Sequence, residues 1–182
     1  MTIALIFLLW SIMLVLLELA ILFIFIFPIV RGAPFVATKK EAVEKIIALG
    51  GVREGDTTID IGSGDGRIVI ACARRGAMAH GYEINPLLVW VSKQNIKRAG
   101  LTKNAFIHWA NFWWKNCSRF DVVTIYGMPH LMKSLERKLR RELKPGSRVV
   151  SNSFPFPTWH PDGVEGKLYL YRAPYEKTAR KS

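Results

Sequence analysis

Acidic residues and cysteines are scarce in this sequence of 182 residues. It holds 14 Asp and Glu against 26 Lys and Arg, a formal net charge of +12. Its two cysteines, Cys72 and Cys117, are too few for the disulfide framework of a small secreted domain. No Cys/His spacing is typical of a zinc site, so we expect neither disulfides nor a metal.

Charge is almost absent from residues 3–27, where Glu18 is the only ionisable side chain. As a helix this run would be about 37 Å long, enough to cross a hydrocarbon core of about 30 Å. A signal peptide would have a basic start and a shorter apolar stretch. A buried core helix that is apolar on all faces would need a far larger protein to cover it. We therefore predict a membrane anchor over residues 1–30 and a linker over residues 31–37.

Basic residues flank this apolar run on one side only. None precedes it, whereas Arg31, Lys39, Lys40 and Lys45 follow it. Basic flanks stay on the cytoplasmic side of a membrane, so we expect the following domain to face the cytoplasm. If the membrane is the mitochondrial inner membrane, the domain would face the matrix. Its positive charge would be attracted to anionic lipid, and we predict a membrane surface as one partner.

The rest of the chain alternates short β-branched runs with helical patterns, which predicts one domain over residues 38–173 and a basic tail over residues 174–182. The predicted strands are 57–61, 79–82, 105–108, 121–126, 148–153 and 167–172, the last of them antiparallel. The predicted helices are 39–49 (capped by Thr38), 67–75, 87–98 and 131–143. Apolar strands joined by helices predict an α/β fold with a mostly parallel sheet covered on both faces. Ligands bind such sheets beyond the carboxyl ends of the strands.

A glycine-rich loop follows the first predicted strand and opens the next helix. Gly62, Gly64 and Gly66 let this loop turn tightly and let a ligand approach the backbone. A dinucleotide-binding loop would need glycine at position 67, which is Arg67, and the Lys-Ser/Thr pair of a P-loop is missing. NAD and ATP are therefore disfavoured as ligands.

Two carboxylates are placed near this loop. Glu83 ends the second predicted strand, 23 residues after Asp60, where a carboxylate accepts hydrogen bonds from ribose hydroxyls. The plainer alternative is an acid before the helix that Asn85 and Pro86 open. Asp60 lies late in an apolar strand, so we expect it either to hold the N–H groups of the loop or to meet a cationic centre of a ligand.

The segments 60–69, DIGSGDGRIV, and 81–86, GYEINP, resemble a class I S-adenosylmethionine (SAM) methyltransferase. The segments 135–139, 142–146 and 149–159, the last containing Phe-Pro-Phe-Pro-Thr-Trp, are similar to the small membrane-anchored protein-lysine methyltransferases of mitochondria. Members of that family modify the ATP synthase c subunit and the adenine nucleotide translocase, and prokaryotic relatives exist. The resemblance covers roughly residues 38–172. It implies a Rossmann-like fold, SAM as cofactor, and an accessible lysine of a protein as the methyl acceptor.

The same resemblance assigns residues to the cofactor. It implies that the glycine loop and Asp60 surround the methionine part of SAM and that Glu83 binds the ribose. Asn111 stands where such enzymes usually have an aspartate that contacts the adenine amino group, with Phe112 beside the ring or, alternatively, in the core. The predicted cofactor-binding residues are Asp60, Gly62, Gly64, Asp65, Gly66, Glu83, Asn85, Asn111 and Phe112.

Methyl transfer to a lysine requires a neutral amine held in line with the sulfonium, and a dry aromatic pocket favours that neutral form. We predict that Tyr126 and Asn152 position the amine, with Phe154 and Trp159 lining the same channel. An ordinary aromatic side chain at a strand end is the alternative for Tyr126. His130 is interpreted as a capping or surface residue rather than a general base.

One dense basic stretch contains Arg137, Lys138, Arg140, Arg141, Lys144 and Arg148. It lacks interleaved aromatics, which disfavours nucleic acid as a partner. A solvated helix face is the default, and attraction to anionic lipid is the better functional interpretation beside an anchor. For the whole chain, two alternatives to a protein-lysine methyltransferase stay open: methylation of a lipid headgroup or membrane-embedded small molecule, and SAM binding without catalysis.

Overall fold

The computed structural model of the chain describes residues 2–31 and 38–174. Helix α1 covers Thr2–Arg31. Its segment Ile3–Phe23 is long and apolar enough to cross a membrane, and none of it is buried inside the protein. This matches the predicted anchor in length and composition. Apart from Arg31 and Pro174, the predicted linker and tail lie outside the described residues.

The domain after α1 is built on a seven-stranded sheet. Its strands are β1 (Thr57–Ile61), β2 (Met78–Glu83), β3 (Ala105–Trp109), β4 (Val122–Ile125), β5 (Arg148–Asn152), β6 (Gly163–Glu165) and β7 (Leu168–Arg172). They lie in the order β3-β2-β1-β4-β5-β7-β6. Strands β1 to β5 are parallel, and β7 is antiparallel to β5 and β6. The predicted mostly parallel sheet is confirmed, and its order reverses between β1 and β4, where such sheets bind ligands.

Helices cover the two faces of the sheet unequally. Helices α2 (Lys40–Leu49), α3 (Arg67–Arg74) and α4 (Pro86–Arg98) share one core with inward residues such as Ala79 and Val150. Helix α5 (Pro129–Glu142) shares the other core with residues such as Val149. Between β3 and β4 the chain forms only a short 3-10 helix, Phe112–Trp114. The face of β2 and β3 on that side is therefore covered by little more than a loop.

Three local predictions need correction. Helix α2 begins after Lys39, which makes no side-chain capping bond, so Thr38 is not its cap. The carbonyl of Thr38 accepts a hydrogen bond from Arg67 Nη1 instead. Helix α5 begins at Pro129, because proline fits the first turn of a helix, where no intrahelical N–H bond is lost. Strand β6 has three residues and no buried side chain, so the sequence offers no apolar pattern for it.

Candidate functional site

A pocket opens at the carboxyl ends of β1, β2 and β4. The glycine loop, the start of α4, the 3-10 helix and the segment after β4 all contribute to its wall. The predicted site residues that line it are Asp60, Gly62, Gly64, Asp65, Glu83, Asn85, Asn111, Phe112 and Tyr126. Gly66 and Asn152 are not among its lining residues. The fold thus brings together side chains that lie up to 66 positions apart.

The glycines of the loop have two different tasks. All three have positive φ, +74° at Gly62, +54° at Gly64 and +82° at Gly66, which other residues adopt only with strain. A Cβ at Gly62 would meet nothing within 4 Å, so this position keeps space open for a ligand. A Cβ at Gly66 would lie 2.9 Å from Cβ of Ser92. Gly66 therefore lets α3 start against α4 rather than lining the pocket.

Glu83 holds the loop and the start of α4 together. Its side chain is buried, and Oε2 accepts a hydrogen bond from the N–H of Gly64 at 3.0 Å. Oε1 accepts from the N–H groups of Ile84 and Asn85, both at 2.8 Å. Asn85 in turn caps α4, since its Oδ1 accepts from the N–H of Leu87 at 2.9 Å. The structure shows Glu83 as the acid before a helix, and because Glu83 also lines the pocket, its binding of ribose stays a prediction.

Asp60 is a buried acid on the pocket wall. The loop N–H of Gly64 is held by Glu83, and the hydrogen bond to Asp60 comes from Thr124 Oγ1 at 2.7 Å. The pKa of Asp60 is raised to about 7: burial raises it most, the hydrogen bond from Thr124 lowers it, and the charges of Glu83 and Asp65 raise it. Among the described residues Asp60 accepts no hydrogen bond from the N–H groups of the loop, and its contact with a cationic centre stays a prediction.

Asp65 lines the pocket while bound to Arg67. Arg67 Nε donates to Asp65 Oδ1 at 2.9 Å, and Nη1 donates to the carbonyl of Thr38. Partial burial raises the pKa of Asp65, but the hydrogen bonds and charge of Arg67 outweigh it and hold this pKa below its ordinary value. Thr38 itself lines the pocket. The first described residue of the domain is thereby fixed at the pocket wall.

The 3-10 helix forms the wall where the adenine contact was predicted. Asn111 caps it, with Oδ1 accepting from the N–H of Trp113 at 3.0 Å, which leaves one lone pair of that oxygen for a ligand. Phe112 is buried, with Lys138 Nζ 5.3 Å from its ring centroid. Lys138 Nζ also donates to the carbonyl of Lys115 at 2.7 Å. Sequence reasoning placed Lys138 in a solvated basic stretch and missed this support.

Tyr126 follows β4 on the far side of the pocket. It is half-buried, and its ring meets the ring of Phe154 edge-on with centroids 6.4 Å apart. Asn152 ends β5 and accepts a hydrogen bond from Ser153 Oγ. Trp159 is buried against Phe156 and Tyr171, so it belongs to the core and not to a channel.

Other candidate groups lie away from the pocket. His130 is exposed and does not line it. Cys72 and Cys117 are buried and unpaired. Within residues 2–31 and 38–174, no cluster of three or more His, Cys, Asp or Glu is arranged to hold a metal ion.

Comparison with known proteins gives a consistent result. A family model described as the ANTKMT methyltransferase domain matches residues 60–163. The human lysine N-methyltransferase of the ATP synthase c subunit is 42% identical over 145 residues, 79% of this chain and 62% of that protein. A protein-lysine N-methyltransferase of Saccharolobus islandicus is 36% identical over 137 residues, 74% of this chain and 85% of that protein. The chain thus spans about six tenths of the length of its human relative.

A solved structure is similar to this chain in fold and in sequence. An RNA methyltransferase from Salinibacter ruber, in complex with S-adenosyl-L-homocysteine, is 38% identical with a TM-score of 0.74, covering 78% of this chain and 95% of that one. A methyltransferase from Thiobacillus denitrificans, also with S-adenosyl-L-homocysteine, has a TM-score of 0.59 at 19% identity, covering 75% of this chain and 59% of that one, and shares the fold alone.

The pocket of this chain fits SAM. Ser63 Oγ, on the glycine loop, is buried without a hydrogen-bond partner among the described residues, and Ser63 lines the pocket. Gly62 leaves open space beside it, and Asp60 is a buried acid that a cation would stabilise. The chain belongs to the ANTKMT methyltransferase domain family, class I methyltransferases that use SAM as their cofactor.

Proposed function

We propose that this chain is a protein-lysine N-methyltransferase, held at a membrane by α1 and acting on a membrane-associated protein. The observation that carries the proposal is one pocket lined by the glycine loop, Glu83 and the aromatic Tyr126, whose ring contacts that of Phe154. Relatives named as lysine N-methyltransferases support the choice of a lysine as the acceptor. One of them, from Saccharolobus islandicus, is matched by this chain over 85% of its length.

SAM would supply the methyl group: the neutral lysine amine attacks the methyl carbon of the sulfonium, the C–S bond breaks, and S-adenosyl-L-homocysteine leaves as a neutral thioether. In this proposal Glu83 binds the ribose, Asp60 faces the cationic part of the cofactor, and Asn111 and Phe112 contact the adenine. Tyr126 presents apolar ring surface to the pocket and is supported by the ring of Phe154, and this apolar surface desolvates the lysine and favours its neutral form. The methylated amine then loses its extra proton to solvent, so no dedicated base is required. This agrees with the position of His130, which is exposed and away from the pocket.

The proposed orientation places the domain on the cytoplasmic side, or on the matrix side of a mitochondrial inner membrane. Its support is the run of basic residues that follows the apolar segment, Arg31, Lys39, Lys40 and Lys45.

The test is label transfer from tritiated SAM into membrane extracts by the full chain. Each reaction is divided into protein, lipid extract and RNA, and the labelled protein is examined for methyl-lysine by mass spectrometry. We expect label in protein, lost with Glu83→Gln and retained with the matched control Glu165→Gln, an exposed acid on β6. Label confined to lipid would favour the headgroup alternative. Label confined to RNA would favour the activity by which the Salinibacter relative is described. SAM binding without label in any fraction would indicate a non-catalytic module.

A further inference from the structure

Positive charge is unevenly distributed over the sheet. Between Glu83 and Asp121 the chain has no acidic residue, six Lys and Arg, and four tryptophans. This segment contains α4, the edge strand β3 and the 3-10 helix. One edge of the domain is therefore basic and aromatic at once.

Three of the four tryptophans of this segment are largely exposed. Trp90, Trp109 and Trp114 expose 60%, 64% and 81% of their surface. Trp109 Nε1 donates to the carbonyl of Ile84 at 3.0 Å, which holds this ring beside the start of α4. Trp90 lies on α4, with exposed Lys93 one turn further along the same face.

Three of the six bases of the segment lie near His108 on the edge strand β3. Partial burial lowers the pKa of His108 on β3, and the positive charges of Arg119, Lys115 and Lys93 lower it further. None of these three bases forms an ion pair with another residue of the described ranges. We call the surface formed by these groups the basic aromatic edge: Trp90, Lys93, Trp109, Trp114, Lys115 and Arg119.

The dense basic stretch on and after α5 is different, because acids neutralise most of it. Lys138 and Arg141 pair with Glu142, Arg140 with Glu136, Lys144 with Asp121, and Arg148 with Asp56. Within residues 38–174, Arg137 is the one base of this stretch without an ion pair. The lipid attraction assigned to it from sequence is therefore better assigned to the basic aromatic edge.

The short connection between α1 and the domain keeps the basic aromatic edge close to the membrane that α1 is proposed to span. Only residues 32–37 separate the end of α1 from Thr38, a span of at most about 25 Å even when fully extended. Thr38 is held by Arg67 at the wall of the pocket. The same pocket is lined by Ile84 and Leu88, at the start of α4 and next to the basic aromatic edge. The anchor and this edge thus approach the same pocket mouth.

We propose that the basic aromatic edge lies on the anionic surface of the membrane that α1 spans, with the pocket mouth beside the bilayer. Tryptophan prefers the membrane–water interface, since its ring is apolar and its N–H is polar. Lysine and arginine near the surface add attraction to anionic headgroups. The proposal rests on the anchoring role of α1 and is independent of which molecule accepts the methyl group.

The experiment places the full chain in lipid nanodiscs and measures distance to the bilayer. A fluorophore is attached at Ser118→Cys, next to Arg119, or at Val164→Cys on β6, the opposite edge of the sheet. The native cysteines are buried, so they should label more slowly than the introduced ones. The discs contain a lipid with a quencher in its headgroup, in phosphatidylcholine alone or with phosphatidylglycerol.

We expect quenching at position 118 to be at least threefold that at position 164 in discs with phosphatidylglycerol, and to weaken in phosphatidylcholine or high salt. The variant Trp90→Ser/Lys93→Ser should lose most of this difference, whereas Arg137→Ser should retain it. SAM binding, measured in parallel, checks that each variant is folded.

Three outcomes would overturn the proposal. Equal quenching at both positions would mean that the domain has no preferred face towards lipid. Tight binding of polyuridylate, lost in Trp90→Ser/Lys93→Ser and without lipid quenching at position 118, would assign the edge to RNA. If the chain is not retained in the discs, both the anchoring role of α1 and this proposal are wrong. The methyl-transfer proposal would be unaffected, because label transfer tests it separately.

Discussion

The carboxylate of Glu83 accepts a hydrogen bond from the backbone N–H of Gly64 at 3.0 Å, across 19 positions of sequence. Its other oxygen holds the two N–H groups that precede α4. The same acid therefore shapes the glycine loop and lines the pocket in which we propose that it binds ribose.

Glu83→Gln should weaken SAM binding by at least about tenfold, because charge-assisted hydrogen bonds are replaced by neutral ones and one oxygen becomes a donor. It should also lower the free energy of unfolding by about 2 kcal/mol, since buried N–H groups lose their acceptor. Isothermal titration and urea unfolding measure the two effects. Glu165→Gln on β6 is the control, and equal affinity in both variants would contradict the ribose assignment.

Asp60 should make the stability of the ligand-free protein depend on pH. Its pKa is raised from 3.8 to about 7 in the folded state, so the folded protein binds the proton more tightly than the unfolded chain. Stability should therefore fall as the pH rises from 3.8 to about 7, and Asp60→Asn should reduce that slope. Urea unfolding over this range tests it. A slope unchanged by Asp60→Asn would show that Asp60 does not titrate in this range.

A cation bound beside Asp60 should lower this pKa, so SAM binding near neutral pH should release protons. Titrations in buffers of different ionisation enthalpy measure the number released. A heat of binding that does not depend on the buffer would contradict the contact between Asp60 and the cationic part of SAM.

Gly66→Ala should destabilise the protein more than Gly100→Ala. Both glycines have positive φ, +82° and +71°, so both substitutions strain the backbone by about 1–2 kcal/mol. Of these two positions, only Gly66 brings the new Cβ close to another residue, Ser92 at 2.9 Å, which raises the expected total to about 2–5 kcal/mol. Thermal and urea unfolding compare the two variants. Equal losses would mean that α3 and α4 shift apart without cost.

Lys138→Met should weaken SAM binding by about fivefold to tenfold, because Lys138 supports the 3-10 helix through Lys115 and the ring of Phe112. Its loss also leaves the Glu142 carboxylate without its closest partner. Arg137→Met, on the exposed face of the same helix, is the matched control. If both variants bind SAM like the unmodified chain, Lys138 has no influence on the part of the pocket formed by the 3-10 helix.

Tyr126→Ala should lower kcat/KM for the protein substrate by about tenfold or more without changing SAM affinity, because it removes apolar surface next to Phe154. Tyr126→Phe keeps the ring and should stay within about threefold of the unmodified enzyme. Methyl transfer and SAM binding are measured on the same preparations. A large loss in Tyr126→Phe would assign the role to the hydroxyl instead of the ring.

Much of the fold was predictable because its signals are local. The glycine loop, the β-branched run before it and Asn85-Pro86 each act on their own neighbours, and the structure has a turn, a strand and a helix start at these places. Strand β6 and the start of α2 were not predictable in this way. The first is fixed by pairing with β7 and the second lies beside a hydrogen bond between Thr38 and Arg67, 29 positions apart.

The sequence by itself determined the class of the fold, the apolar helix and the pocket position of the loop and Glu83, because hydrophobic periodicity and backbone freedom are properties of short segments. Tertiary structure alone decided which basic side chains form ion pairs with acids and which do not. Lys138 and Arg148 belong to the densest basic stretch, yet folding places each against an acid, whereas Lys93, Lys115 and Arg119 are dispersed in sequence and gather at one edge without acids. Ion pairing depends on distances of a few ångströms between remote segments, and composition does not encode those distances. Because acidic residues are scarce, their positions in the fold decide which basic residues are neutralised and which stay unpaired.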